Sequence, residues 1–403
     1  MATLLLIMIY LAFISLGIPD SLLGVAWPVM QSDFGQPLET AGFLYMIIAA
    51  GTILSSLASG WLNDRMGTGK VTLISVILTA AALLGFSYAP SLYWLIICAV
   101  PLGLGAGAID AALNNYVALH YKSHHMSWLH CFWGVGASIG PIMISYFIAN
   151  KGSWRDGYFT IAFLQLGLAC LLLLTLPLWS KVSRKKQMEA EAGRIEPLPD
   201  ERAYGVKPLK IKGVKFALLS FFFYCGVEST LGLWGSSYLV GSKGISAAVA
   251  AQWVSFFYGG ITLGRLITGF ITFKVSNEKL IRSGQITAII GIALFILPLP
   301  VDMSLAGFIL AGLGLAPIYP CMIHETPIRF GKKHSQSIIG YQMAVAYTGT
   351  TFLPPLLGVL ASHTSIGIFP YFALAYMIAM LLGSEKVNRM MRIRHKISIE
   401  KEL

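Results

Sequence analysis

Three acidic residues, Asp20, Asp110 and Glu228, stand inside long apolar stretches. If those stretches cross a bilayer, a charge at their centre costs from about 2.5 kcal/mol upward and is rarely left facing hydrocarbon. Each acid is therefore either hydrogen-bonded glue between helices or a group that binds a solute or carries a proton. Asp110 has Asn114 one helical turn further on, and Gly103, Gly105 and Gly107 thin the helix before it. That spacing sets a carboxylate and an amide on one polar stripe. In the next apolar segment His130, Trp133 and Ala137 share a face at i, i+3 and i+7. An aromatic ring beside such groups suits a sugar, because the ring covers the C–H face while amides and carboxylates take the hydroxyls. Asp20 reads two ways, since Gly17-Ile18-Pro19-Asp20-Ser21 also looks like a helix break with a local cap.

The elements that would position these groups follow from hydropathy. Of 403 residues, 56% are hydrophobic and 12% charged, and the mean hydropathy of +0.71 exceeds what a solvated surface allows. About 20 apolar residues cross a bilayer as a helix, and twelve such runs are expected: 3–30, 40–62, 70–89, 92–119, 127–149 and 157–180, then 215–240, 247–272, 281–299, 304–326, 336–361 and 367–384. The fold class is all-α, a polytopic membrane protein of twelve helices. The domain plan is an N-terminal six-helix half (1–180), a cytoplasmic linker (181–214) rich in Lys and Arg and holding Pro197, Pro199 and Pro208, a C-terminal half (215–384) and a cytoplasmic tail (385–403).

The net charge of +11 does not signal nucleic acid, because position decides its meaning. Lys151, Arg155 and Lys243 fall on one set of connections, Arg265 falls inside a helix, and the other 25 of the 29 basic residues fall on the alternate connections, the linker or the tail. Such asymmetry puts both termini in the cytoplasm and the chain in the plasma (inner) membrane. The first segment has no basic leader and no cleavage site, so it is expected to be retained. The five cysteines lie in apolar segments without metal spacing and read as packing residues. No metal, nucleophile or P-loop pattern is present, so neither an enzyme nor a cofactor is expected.

The two halves repeat. A shift of 209 residues lays Gly51, Gly60 and Arg65 on Gly260, Gly269 and Lys274, and Gly103 and Gly105 on Gly312 and Gly314. After the second segment comes Gly60-Trp61-Leu62-Asn63-Asp64-Arg65-Met66-Gly67-Thr68-Gly69-Lys70. It resembles the loop signature of the major facilitator superfamily. The resemblance implies the major facilitator fold and a conformational latch built from Gly60, Asp64, Arg65 and Gly67, with Gly60 permitting close helix approach and Gly67 making the turn. The second-half counterpart has Phe273 opposite Asp64, so any latch there differs.

A narrower resemblance lies in Gly107 to Asn114, in Trp128 to Pro141, in Tyr224 to Glu228 with Trp234, in Gly312 to Pro320, and in Gln342 with Pro354-Pro355. These are similar to the fucose permease-like branch, the fucose–galactose–glucose:proton symporters. The branch implies Asp110 as the proton-coupling acid, with Asn114, His130, Trp133, Glu228 and Gln342 as substrate-binding groups. Asp20 stands one turn before the branch's first acidic position, where this chain has Gly24, and is its weaker counterpart. The expected function is secondary active transport of a small neutral sugar, coupled to protons with sodium as the alternative ion, by alternating access in a monomer. Two rivals stand beside it: a proton-driven exporter of hydrophobic compounds, and a transport-silent membrane sensor on the same fold.

Overall fold

A computed structural model describes residues 2–121, 123–191, 208–272 and 274–402. Fourteen long helices run along the described residues, with no strand among them. They are α1 (Ala2–Asp20), α2 (Leu22–Phe34), α3 (Thr40–Met66), α4 (Thr68–Ser87), α5 (Leu92–His120), α6 (Ser123–Lys151) and α7 (Trp154–Glu191). Then come α8 (Val214–Lys243), α9 (Ala247–Ile271), α10 (Asn277–Ile296), α11 (Met303–Leu315), α12 (Ile318–Phe330), α13 (Lys332–His363) and α14 (Phe369–Glu402). By length and apolarity they make twelve membrane spans among the described residues, with α1 and α2 forming one span and α11 and α12 another.

Both two-piece spans were expected as single segments, although Gly17-Ile18-Pro19-Asp20-Ser21 was also read as a helix break; the first parts at Ser21, just after Pro19, and the second at Ala316-Pro317. Pro19 and Pro317 lack the N–H that would continue the helical ladder. At the first break Ser21 is no cap, because its hydroxyl turns back to donate to the Ile18 carbonyl at 3.1 Å. Two other helices outrun their expected ends: α7 continues to Glu191 and α14 to Glu402. Both extensions are charged and rich in Lys, Arg, Glu and Met, good helix formers that need no lipid. The rest of the expected linker through Lys207, with Pro197 and Pro199, and Phe273 lie outside the described residues.

The chain gathers into two compact units, one of Met1–Asp200 with Gly235–Gly259, the other of Glu201–Trp234 with Gly260–Leu403. In the first, α3 and α5 touch backbone to backbone: a Cβ added to Gly51 would lie 3.1 Å from the Leu104 nitrogen, and one on Gly103 would lie 2.1 Å from the Ile48 carbonyl oxygen. Gly105 abuts Ser75 and Thr79 of α4. The second unit repeats this packing at the 209-residue shift. Gly260 abuts Gly312 and Leu313, and Gly314 abuts Gly284 and Ala288. Such contacts let helices approach through small residues, the usual means of association where lipid removes the hydrophobic drive.

Polar glue adds to this in the first unit. Gln165 of α7 is 2% exposed. Its carbonyl accepts from Ser15 at 3.1 Å and from Thr79 at 2.8 Å, while its amide donates to the Ser15 carbonyl at 2.8 Å. One side chain thus ties α1, α4 and α7 with its buried polar atoms satisfied.

Candidate functional site

The first unit holds the sequence-selected residues of α1, α5 and α6 and joins those of α1 and α6 directly. Asp20 is the last residue of α1 and stays exposed. The indole N–H of Trp133, on α6, donates to its Oδ2 at 2.8 Å. That contact is possible because α1 and α6 close together through Gly17, where a Cβ would lie 2.1 Å from the Trp133 carbonyl oxygen, and through Gly136 against Ile14. The Trp133 ring is half-buried, with its edge toward Tyr258 at a centroid separation of 6.3 Å. On α5, Asn114 Nδ2 donates to Asp110 Oδ1 at 2.9 Å and to the Asp110 carbonyl at 3.0 Å, so the polar stripe exists as a bonded pair. His130 lies one turn before Trp133, its ring edge-on to Phe13 at 6.0 Å.

The loop after α3 forms a turn of the expected kind. Gly67 adopts φ +79°, a conformation that a Cβ would strain, and its N–H donates to the Asn63 carbonyl at 2.8 Å. Asp64 and Arg65 are exposed, and the Arg65 guanidinium lies over the Trp61 ring at 4.2 Å. Gly60 makes no close approach in this structure: a Cβ there would meet nothing within 4 Å, and the same holds at its repeat partner Gly269. The close approaches on this helix fall nearer its middle, at Gly51.

In the second unit, Glu228 of α8 has a partner that its sequence context did not disclose. Arg265 Nη2 of α9 lies 3.6 Å from its Oε1. The Tyr224 hydroxyl, one turn back on α8, donates to its Oε2. The Tyr224 ring packs at 5.9 Å against that of Tyr319, whose hydroxyl points to the Met343 sulfur at 3.3 Å. Gln342 lies elsewhere in the unit. It is 1% exposed, its carbonyl accepts from Thr326 at 3.1 Å, and it borders a cavity of only about 10 Å³. No face of it is open to a solute in this structure.

Sequence reasoning noted Arg265 only as a charge inside a helix and passed over Gln165 altogether. A lone arginine in an apolar run, with an acid in the preceding run, was the signal available for the first. Nothing in the local pattern marked the second.

Twelve spans among the described residues, a repeated helix packing and intramembrane acids narrow the field, and comparison with known families decides it. The profile of the Major Facilitator Superfamily matches residues 9–340. The chain belongs to the Major Facilitator Superfamily. Members of this superfamily are transporters rather than enzymes, and the chain is an integral membrane protein. It is 23% identical to the glucose/mannose transporter GlcP of Bacillus subtilis, over 97% of this chain and 96% of that protein. It is 24% identical to the cis,cis-muconate transport protein of Acinetobacter baylyi, over 92% of this chain and 90% of that one. Among solved structures, the D-xylose-proton symporter superimposes with a TM-score of 0.70 at 15% identity, covering 95% of this chain and 96% of the other. A bacterial homologue of the lysosomal transporter Spinster gives 0.72 at 14% identity over 97% of each. This major facilitator chain therefore has sugar transporters among its relatives, and the structural likenesses establish its fold.

Proposed function

We propose that this major facilitator protein carries a hexose or similar small neutral sugar across the cell membrane by alternating access, in symport with protons. The observation that carries the reading is the Trp133–Asp20 hydrogen bond. It fixes a flat aromatic ring beside a carboxylate, in the same unit as the bonded Asp110–Asn114 pair. A hexose presents an apolar face and a rim of hydroxyls, so the ring takes the face while Asn114 and His130 offer neutral donor and acceptor atoms. Asp110 is the proton-coupling group and Asp20 the second. Glu228 is a further acceptor for hydroxyls. The relatives that transport glucose and mannose, and the fold shared with a xylose-proton symporter, support the same reading. Both termini face the cytoplasm, the loop around Asp64 and Arg65 acts as the conformational latch, and a monomer suffices.

The test is a calorimetric or tryptophan-fluorescence titration of the purified protein with glucose, galactose and fucose. Trp133→Ala should weaken hexose binding by roughly 1 to 3 kcal/mol, about 5- to 150-fold. Trp61→Ala and Trp94→Ala should leave it unchanged. Trp61 is 56% exposed beneath Arg65, and Trp94 is 45% exposed with its N–H on the Gly85 carbonyl. If no hexose binds the wild type at millimolar concentration while hydrophobic cations do, the exporter reading replaces this one.

A further inference from the structure

Arg265 and Glu228 form a charge pair inside the membrane-spanning part of the second unit, with side chains only 13% and 16% exposed. A pair of this kind is a poor choice as mere glue. The cost of taking both charges out of water offsets most of their attraction, and an apolar pair of equal volume often does as well. The geometry also departs from a structural clamp. The guanidinium meets one carboxylate oxygen at 3.6 Å, not both in a fork, and the second oxygen is held by the Tyr224 hydroxyl. Each partner keeps a small exposed fraction, so the pair lies at the margin of the packing. An arginine in such a place has the donor geometry that recognises carboxylates, and it would attract an acidic solute unless its charge were cancelled. Glu228 cancels it.

We propose that Glu228 sets the charge class of the solute: by neutralising Arg265 it makes this region accept neutral sugars and refuse acidic ones. The inference rests on the sugar reading above and assigns its selectivity to two residues. Removing the acid should unmask a carboxylate site, and removing the base should unmask a site for a cation. In Glu228→Gln the amide oxygen still accepts from Tyr224, but Arg265 loses its counter-charge and gains most from a solute that brings one.

Glucose and glucuronate are the matched probes, since they share a pyranose ring and differ by one carboxylate. Isothermal titration of the purified full-length protein should show glucose binding to the wild type and glucuronate binding at least tenfold more weakly. Glu228→Gln should bind glucuronate about 10- to 100-fold more tightly than the wild type does, the worth of one hydrogen bond to a charged group. Glu228→Gln combined with Arg265→Gln should lose that gain. If Glu228→Gln fails to fold, Arg265→Gln carries the test with the sign reversed, gaining about tenfold for protonated glucosamine. A folded Glu228→Gln that binds glucose and refuses glucuronate like the wild type overturns the inference and leaves the sugar reading standing. A wild type that takes glucuronate as readily as glucose also overturns it. A wild type that binds neither removes the sugar reading and this inference together.

Discussion

Asp110→Asn separates proton coupling from architecture with unusual economy, because the structure shows what the amide would keep. Asn114 Nδ2 donates to the Asp110 carboxylate at 2.9 Å and to its backbone carbonyl at 3.0 Å. An asparagine oxygen accepts the first bond and the second is untouched. The loss is the difference between a charged and a neutral acceptor, about 1 kcal/mol, too little to unfold the chain. What disappears is the titrating group. With one proton per solute, a potential of 100 mV supplies about 2.3 kcal/mol per charge, enough for about 50-fold accumulation. Proteoliposomes given an imposed potential and labelled hexose should therefore approach that ratio with wild type and stay near unity with Asp110→Asn. Counterflow exchange, which needs no net proton movement, should persist. Uphill accumulation by the variant equal to wild type would remove Asp110 from the coupling mechanism.

Three further predictions follow from the packing and the loop. Asp64→Asn and Gly60→Leu should slow turnover with little change in hexose affinity, measured by paired transport and binding assays. The Gly60 variant should fold, since nothing lies within 4 Å of an added Cβ, and a large affinity loss at intact turnover would show the loop to be misassigned. Gly103→Val should lower thermal stability in detergent far more than Gly60→Val, by about 1 to 3 kcal/mol or more, because its Cβ falls 2.1 Å from a backbone oxygen. Equal melting temperatures for the two would contradict the α3–α5 packing. Gln165→Leu should cost about 1 to 3 kcal/mol by stranding the Ser15 hydroxyl, while Thr79 keeps the Val76 carbonyl, and an unchanged unfolding midpoint would show that water replaces it.

The architecture was legible because its determinants are local. Apolar runs fix spans by length alone, and the 209-residue shift found in glycines returns as the same contact made twice, Gly51 on Gly103 and Gly260 on Gly312. The Asp110–Asn114 pair was equally readable, being one turn apart on a single helix. What lay beyond reach was every relation between helices. Trp133 finds Asp20 across 113 positions, and Glu228 finds Arg265 on the next helix. Gln342, chosen for its amide in a resembling motif, bonds instead to Thr326 inside the packing. A helical period tells which residues share a face but not which neighbour that face meets, and a buried amide reads the same whether it serves a solute or a hydroxyl. The break near Pro19 was legible, but the one at Pro317 and the Ser21 hydroxyl's turn back onto Ile18 were not.

The glycine contacts carry a mechanical consequence for Asp110. Gly103 and Gly105 lie about two turns and about one and a half turns before it; Gly103 presses α5 onto the backbone of α3 with no side chain between, and Gly105 presses it onto the Ser75 carbonyl and the Thr79 side chain of α4. At Gly103 the helix cannot roll or slide by repacking rotamers, since backbone meets backbone there. Asp110 and Asn114 are thus carried on a stiff three-helix lever, presented in one orientation before any solute arrives. Little ordering entropy remains to be lost at them on binding. Any change in what reaches Asp110 during the cycle must come from displacement of that lever as a whole, or from α1, which ends in Asp20 where its span breaks.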